Sequence, residues 1–171
     1  MTPDQIIKLL NLFPNTAEGG YVGPVYNADL HLDAHCLPGF PPLTNVNRPI
    51  CGAIYYFLKN DDRSVMHSVV GDMIYHFYSG DPVEMLLLKP DKTTEVCTFS
   101  NDLDNGGFPM KAIPGGTWLG SRLIPGGTNK YALMGVTMAP GFNPADYKIA
   151  SRSELLNAYP EQSEMIMALT T

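Results

Sequence analysis

The sequence predicts an all-β fold, an antiparallel jelly-roll β-barrel or sandwich with short terminal helices. Three observations carry this. Between Tyr21 and Met138 the chain divides into seven brief runs rich in β-branched and aromatic residues. Turn signals separate those runs at intervals too short for intervening helices, which opposes a doubly wound α/β arrangement. Helical periodicity is confined to the two ends.

Thr2-Pro3-Asp4 supplies a cap and a first-turn Pro, and Ile6, Ile7, Leu9, Leu10 and Phe13 then recur at helical spacing. A short helix ending at Pro14 is expected. The strand runs follow at 21–26, 51–58, 73–79, 83–88, 94–99, 117–123 and 131–138. Asn60-Asp61, Gly80-Asp81-Pro82, Pro90-Asp91, Asn105-Gly106-Gly107 and Pro125-Gly126-Gly127 punctuate them as turns. Residues 31–48 hold Pro38, Pro41, Pro42 and Asn45 and read as a loop, because Pro fixes φ and removes a backbone donor. A loop this long is either a lid or binding element, or a surface excursion. Ser151-Arg152-Ser153-Glu154 has the pattern of a capping box before Leu155 and Leu156, so a second short helix should pack outside the sheets. No second core, repeat array or linker divides the chain, and residues 1–171 are expected to form one domain.

At 171 residues such a domain buries roughly 70% of the surface of its unfolded chain, enough for a closed barrel with a pocket. A formal charge of -6 with 11 Lys plus Arg opposes nucleic-acid binding, which needs clustered cations. No apolar run approaches the roughly 20 residues that span a bilayer, and the N-terminal stretch lacks the basic start and apolar core of a signal peptide. The expected compartment is the cytoplasm. Cys36, Cys51 and Cys97 are odd in number without close spacing, and read as unpaired structural thiols.

The stretch His67–Gly80 reads HSVVGDMIYHFYSG. It resembles the first cupin motif, in which a His, any residue, a second His, three or four residues and a Glu precede a Gly. His67 takes the first His place and Gly80 the Gly, but Val69 and Met73 stand at the second His and the Glu. The second motif is matched by Pro114-Gly115-Gly116-Thr117-Trp118-Leu119, with Leu119 in place of its His. A transition metal needs three or four N, O or S donors around one point. The pocket is therefore expected to hold no metal and to need no cofactor.

Longer phrases narrow the resemblance. Glu18-Gly19-Gly20-Tyr21, Ile54-Tyr55-Tyr56-Phe57-Leu58, Tyr75-His76-Phe77-Tyr78-Ser79-Gly80-Asp81-Pro82, Pro114-Gly115-Gly116-Thr117-Trp118 and Ala139-Pro140-Gly141-Phe142 fall in the order of the cupin-5 family, domain of unknown function 985. The match runs from the first helix to about Tyr159. Met73 departs from a common Glu, Gly23 from a common Arg, and residues 31–48 resemble an insertion. That family is similar in fold to sugar-nucleotide epimerases and has no settled common reaction. The resemblance implies a cupin barrel and a homodimer.

His67 is the candidate general base, because imidazole titrates near neutrality and moves protons without a metal; the alternative is a hydrogen-bonded remnant of a ligand set. Tyr75 is its candidate acid partner through the phenol. His76 is a third catalytic candidate, though strict alternation places it with Asp72, Ile74 and Tyr78 on the face opposite Met73, Tyr75 and Phe77 unless a bulge resets the phase. Tyr55, Phe57, Met73, Trp118, Leu119, Ser121 and Tyr131 are the candidate substrate-binding residues, the aromatics gripping rings or sugar faces or else belonging to the core. His31 and His35, near Asp33 and Cys36, form a weak metal pattern, since without a helix they need not share a face. Gly115-Gly116 and Gly126-Gly127 open no helix and read as turns, not phosphate loops.

These features point to a metal-independent enzyme that rearranges a small molecule by proton transfer: an isomerase, epimerase, dehydratase or cyclase. The alternative is a non-catalytic binding module. A third, a metal-dependent dioxygenase, requires folding to bring further donors to His67.

Overall fold

Thr2 caps the first helix in this computed structural model, which describes residues 1–33, 37–41 and 48–171. The Thr2 side chain accepts from the Gln5 amide at 3.3 Å and the Gln5 side chain accepts from the Thr2 amide at 2.8 Å. This capping box opens α1 (Pro3–Leu9). The helix ends earlier than its apolar spacing predicts, because Asn11 enters the left-handed region at φ 51°. Phe13 then lies in a strand.

Two antiparallel sheets follow. The first has six strands, in the order β1 (Phe13–Pro14), β2 (Tyr21–Asn27), β5 (Gly52–Lys59), β12 (Tyr131–Met138), β7 (Met73–Gly80) and β10 (Met110–Ile113). The second has five, in the order β13 (Tyr147–Ile149), β6 (Arg63–Val69), β11 (Trp118–Leu123), β8 (Val83–Leu88) and β9 (Thr94–Phe99). A short pair, β3 (His31–Leu32) and β4 (Arg48–Pro49), brackets the expected loop. All seven expected strands form, and the all-β jelly-roll architecture is as the sequence predicts. β6, β10 and β13 are additional, as are the two-residue β1, β3 and β4. β6 escapes the pattern because its buried positions include Ser64, His67 and Ser68 as well as Val65 and Met66.

The main core lies between the sheets and is filled by inward side chains at alternate positions: Tyr56 and Leu58 of β5, Met73, Tyr75 and Phe77 of β7, and Met134, Val136 and Met138 of β12. Against them stand Val69 of β6, Leu119 of β11, Met85 and Leu87 of β8, and Phe99 of β9. A second cluster covers the outer face of the five-stranded sheet. There α2 (Arg152–Ala158) and α3 (Ser163–Ala168) bring Leu155 and Ile166 onto Met66, Leu86 and Leu88. The expected capping box at Ser151 does not close: Ser151 makes no side-chain cap bond and its hydroxyl meets Ser153 at 3.1 Å. The helix is tied instead by Arg152, which donates to the Thr170 hydroxyl and carbonyl at 2.8 Å each. Among the described residues no helix is long and apolar enough to cross a membrane.

Candidate active site

A cavity of about 690 Å³ opens between the sheets, walled by β2, β5, β6, β7 and β12 and by the segments around 13–18 and 142–147. Its volume is in the range of small-molecule sites. Most of the wall is apolar, including Val22, Val69, Met73, Val136 and Met138, and Glu18, Tyr56, Tyr75 and Tyr147 join His67 among its polar side chains.

His67 is buried and reaches the cavity from β6. Its Nδ1 lies 2.8 Å from the Val65 carbonyl. A carbonyl only accepts, so Nδ1 carries the hydrogen and the neutral ring has its lone pair on Nε2. Nε2 lies 3.7 Å from Glu18 Oε1, and the ring stacks on Tyr147 with centroids 5.4 Å apart.

Glu18 is placed by the two glycines that follow it. Gly19 has φ +99°, and a Cβ there would fall 2.1 Å from the Arg63 carbonyl oxygen, so the chain presses directly onto the start of β6. The Glu18 carbonyl accepts from the Val65 amide at 2.8 Å. Its carboxylate accepts from Ser64 Oγ at 2.9 Å on Oε1 and from Asn15 Nδ2 at 3.2 Å on Oε2. Three phenols join the pair. Burial, reinforced by the Glu18 charge, holds Tyr56, Tyr75 and Tyr147 above the ordinary phenol range, so all three remain protonated donors near neutrality. Tyr56 donates to the Gly19 carbonyl at 2.9 Å. The Tyr147 hydroxyl is buried facing the Glu18 carboxylate, whose proximity helps to raise its pKa, but it completes no well-formed hydrogen bond among the described residues.

Of the expected catalytic residues, His67 and Tyr75 meet in this cavity, and so does Met73 from the expected binding set. His76 does not. It projects from the outer face of the six-stranded sheet, stacks on Tyr78 at 6.3 Å and approaches Thr137 Oγ1 at 3.3 Å. The β7 bulge lies beyond it, where Leu133 faces Ser79 and Met134 faces Phe77, so the phase from Met73 to Phe77 is unbroken. Tyr55, Phe57, Tyr131 and Trp118 are also outside. Phe57 and Tyr131 stack at 5.5 Å in the cluster with α1, Tyr55 meets Tyr78 edge-on at 6.2 Å, and Trp118 packs under the C-terminal helices. The aromatic residue of β5 that lines the cavity is Tyr56, one position out of the expected phase. Leu119 packs in the core and Ser121 is buried, with no partner for its hydroxyl among the described residues, but neither lines the cavity. Glu18, Tyr56 and Tyr147 were not expected site residues. The Glu-Gly-Gly-Tyr phrase was the available signal for Glu18, since paired glycines mark a close backbone approach.

The residues around His67 do not fit a bound transition metal. Val69, Met73 and Leu119 occupy the motif's other donor places, Nδ1 is engaged by Val65, and Glu18 adds one carboxylate beside phenols that stay protonated. Among the described residues no three His, Cys, Asp or Glu side chains converge elsewhere. In the His31 pattern, the His31 ring bonds the Asp29 carbonyl at 2.7 Å, while His35 and Cys36 lie outside the described residues.

The fold has close counterparts among solved structures. A protein from Shewanella oneidensis superposes with a TM-score of 0.84 at 24% identity, covering 100% of this chain and 98% of its own. A hypothetical protein from Leishmania major gives 0.86 at 22% identity over 99% of both chains. Oxalate decarboxylase from Bacillus subtilis gives 0.52 at 12% identity, covering 89% of this chain and 35% of that one. At these identities the likeness concerns the fold alone. No curated protein matches the sequence. Residues 4–150 match the Cupin_5 family of the cupin superfamily, DUF985, and the chain belongs to that family of unknown function.

Proposed function

We propose that the protein is a metal-independent isomerase, epimerase, dehydratase or cyclase that moves a proton within a small molecule held in the cavity. The observation that carries this is the Glu18–His67 pair, with Nε2 of His67 facing the carboxylate at 3.7 Å inside an apolar chamber. The proton leaves an acidic C–H or O–H of the substrate for Nε2, and Glu18 stabilises the imidazolium. A protonated phenol, Tyr75 or Tyr147, donates to the oxygen on which charge develops. The proton then returns to a second position in an isomerisation or cyclisation, to the opposite face of the same carbon in an epimerisation, or to the departing hydroxyl, which leaves as water, in a dehydration, and each outcome regenerates the pair. The similarity to sugar-nucleotide epimerases that the sequence resemblance implies supports the same reaction type.

An open cavity favours this reading over the non-catalytic binding module, for which a chamber filled by its own side chains would be the natural outcome. The experiment is a thermal-shift screen of small carbonyl and hydroxyl compounds, followed by turnover assays on the hits. His67→Ala should lower turnover about a hundredfold or more; turnover at the parent rate would remove His67 as the base.

The proposal extends to the chain as one domain working as a homodimer in the cytoplasm, with a small molecule and no nucleic acid as its other partner. Unpaired Cys51 and Cys97 fit a reducing compartment. Exposed Val25, Ile74, Tyr78 and Met110 give the six-stranded sheet apolar outer surface suited to a second copy.

A further inference from the structure

Resting on the proton-transfer reading, we infer that the cavity takes an uncharged, ring-bearing molecule whose oxygen accepts from Tyr147, and that it rejects carboxylates, phosphates and nucleotide sugars. Three features of the wall support this. Its mouth carries the exposed aromatic rings of Phe13, Tyr26 and Phe142, surfaces that stack on flat or fused rings. Glu18, the one carboxylate in the lining among the described residues, repels an anion in a low-dielectric chamber. No Lys or Arg lines the cavity among the described residues, and residues 34–36 and 42–47 contain neither type in the sequence.

To these the Tyr147 hydroxyl adds a donor. It faces the Glu18 carboxylate without closing a well-formed hydrogen bond, and a buried donor left so is costly unless something completes it. The ring stacks on His67 at 5.4 Å, so a ligand oxygen that meets this hydroxyl is held beside the base. Tyr56 is already committed to the Gly19 carbonyl, and of the other phenols Tyr147 is the one stacked on the base. An ammonium ion is a poor fit despite Glu18, because each oxygen already accepts one bond, from Ser64 and from Asn15, and the apolar wall does not replace the hydration the ion would lose.

The test uses naphthalene probes that differ in one substituent: naphthyl methyl ketone, naphthoate and naphthylmethylammonium, with UDP-glucose as the nucleotide sugar and unsubstituted naphthalene as the ring alone. Titration calorimetry at pH 8 should show the ketone binding about tenfold or more tighter than each charged probe. Tyr147→Phe should weaken the ketone by roughly threefold to tenfold, the scale of one hydrogen bond, and leave naphthalene unchanged. Equal or tighter binding of naphthoate, the ammonium or UDP-glucose overturns the inference, as does a failure of the ketone to bind. Ketone affinity that is indifferent to Tyr147→Phe, in a variant with an unchanged melting temperature, overturns the role of Tyr147. None of these results bears on the base itself, which stands or falls on the turnover of His67→Ala.

Discussion

Tyr75 and Tyr147 present the same functional group to the cavity from different surroundings. Tyr75 is fully inside the core and tilts against Phe99 at 5.8 Å, whereas the Tyr147 ring is stacked on the base and its hydroxyl, facing Glu18, closes no well-formed hydrogen bond among the described residues. Tyr147→Phe should therefore lower turnover more than Tyr75→Phe, and comparison of kcat for the two variants checks it. His76→Ala, on the outer face, should leave kcat near the parent value and affect stability or self-association. The phenols also set an alkaline limit. Folding raises Tyr56, Tyr75 and Tyr147 above their unfolded value near 10, and burial pushes the Cys97 thiol up to about 11. Groups whose folded pKa is raised contribute stability that is fully present below the unfolded pKa and lost as pH rises through the folded one. Denaturant midpoints should thus fall steeply above about pH 10, and less steeply in Tyr75→Phe; the same pH dependence in parent and variant would contradict this.

Two anchors hold elements around the cavity. Asp81, between β7 and β8, accepts from the Asn129 amide at 3.0 Å, the Asn129 side chain at 2.9 Å and the Lys130 amide at 2.6 Å, fixing the turn into β12. Burial alone would raise its pKa, but these donors prevail and hold it below the ordinary carboxylate value. Asp81→Ala should cost about 1–3 kcal/mol at pH 7 by denaturant titration. A depressed pKa gives stability that is present above the unfolded pKa and lost as pH falls through the folded one, so the gap between parent and variant should shrink below about pH 4. Arg48 of β4 donates to Asp146 at 2.9 and 2.5 Å and to the Pro41 carbonyl at 3.0 Å, and it covers the Phe40 ring at 5.0 Å. This pair ties one end of the 31–48 segment to the turn that carries Tyr147. Both side chains are buried, so Arg48→Met should cost about 3–5 kcal/mol, because Asp146 would be left unpaired. Arg48→Met with Asp146→Leu should recover most of that loss; no recovery would show that the ion pair is not the cause.

At the scale of the molecule, self-association is the remaining expectation. Light scattering should report a dimer at micromolar concentration, and a monomer at every accessible concentration would count against it. The order of strands and turns was legible in the sequence because a strand announces itself locally, through β-branched runs closed by Gly, Pro, Asn and Asp. His67 and the losses at Val69, Met73 and Leu119 were legible for a similar reason, since the motif fixes their spacing. The phase of β5 was not. Phe57 is covered by α1 on one face while Tyr56 enters the core on the other, so the strand is apolar on both sides and its sequence lacks the contrast that marks an inside. β6 had the opposite difficulty, because the side chains that fold inward from it are partly polar. The partnership of Glu18, His67 and Tyr147 joins residues from a loop, β6 and the start of β13, and only the pairing of β13 with β6 and the pressing of Gly19 onto Arg63 bring them together. Local propensity and spacing determined the elements and the defective ligand set; tertiary packing decided which side chains share the cavity, because that depends on long-range contacts that no single segment encodes.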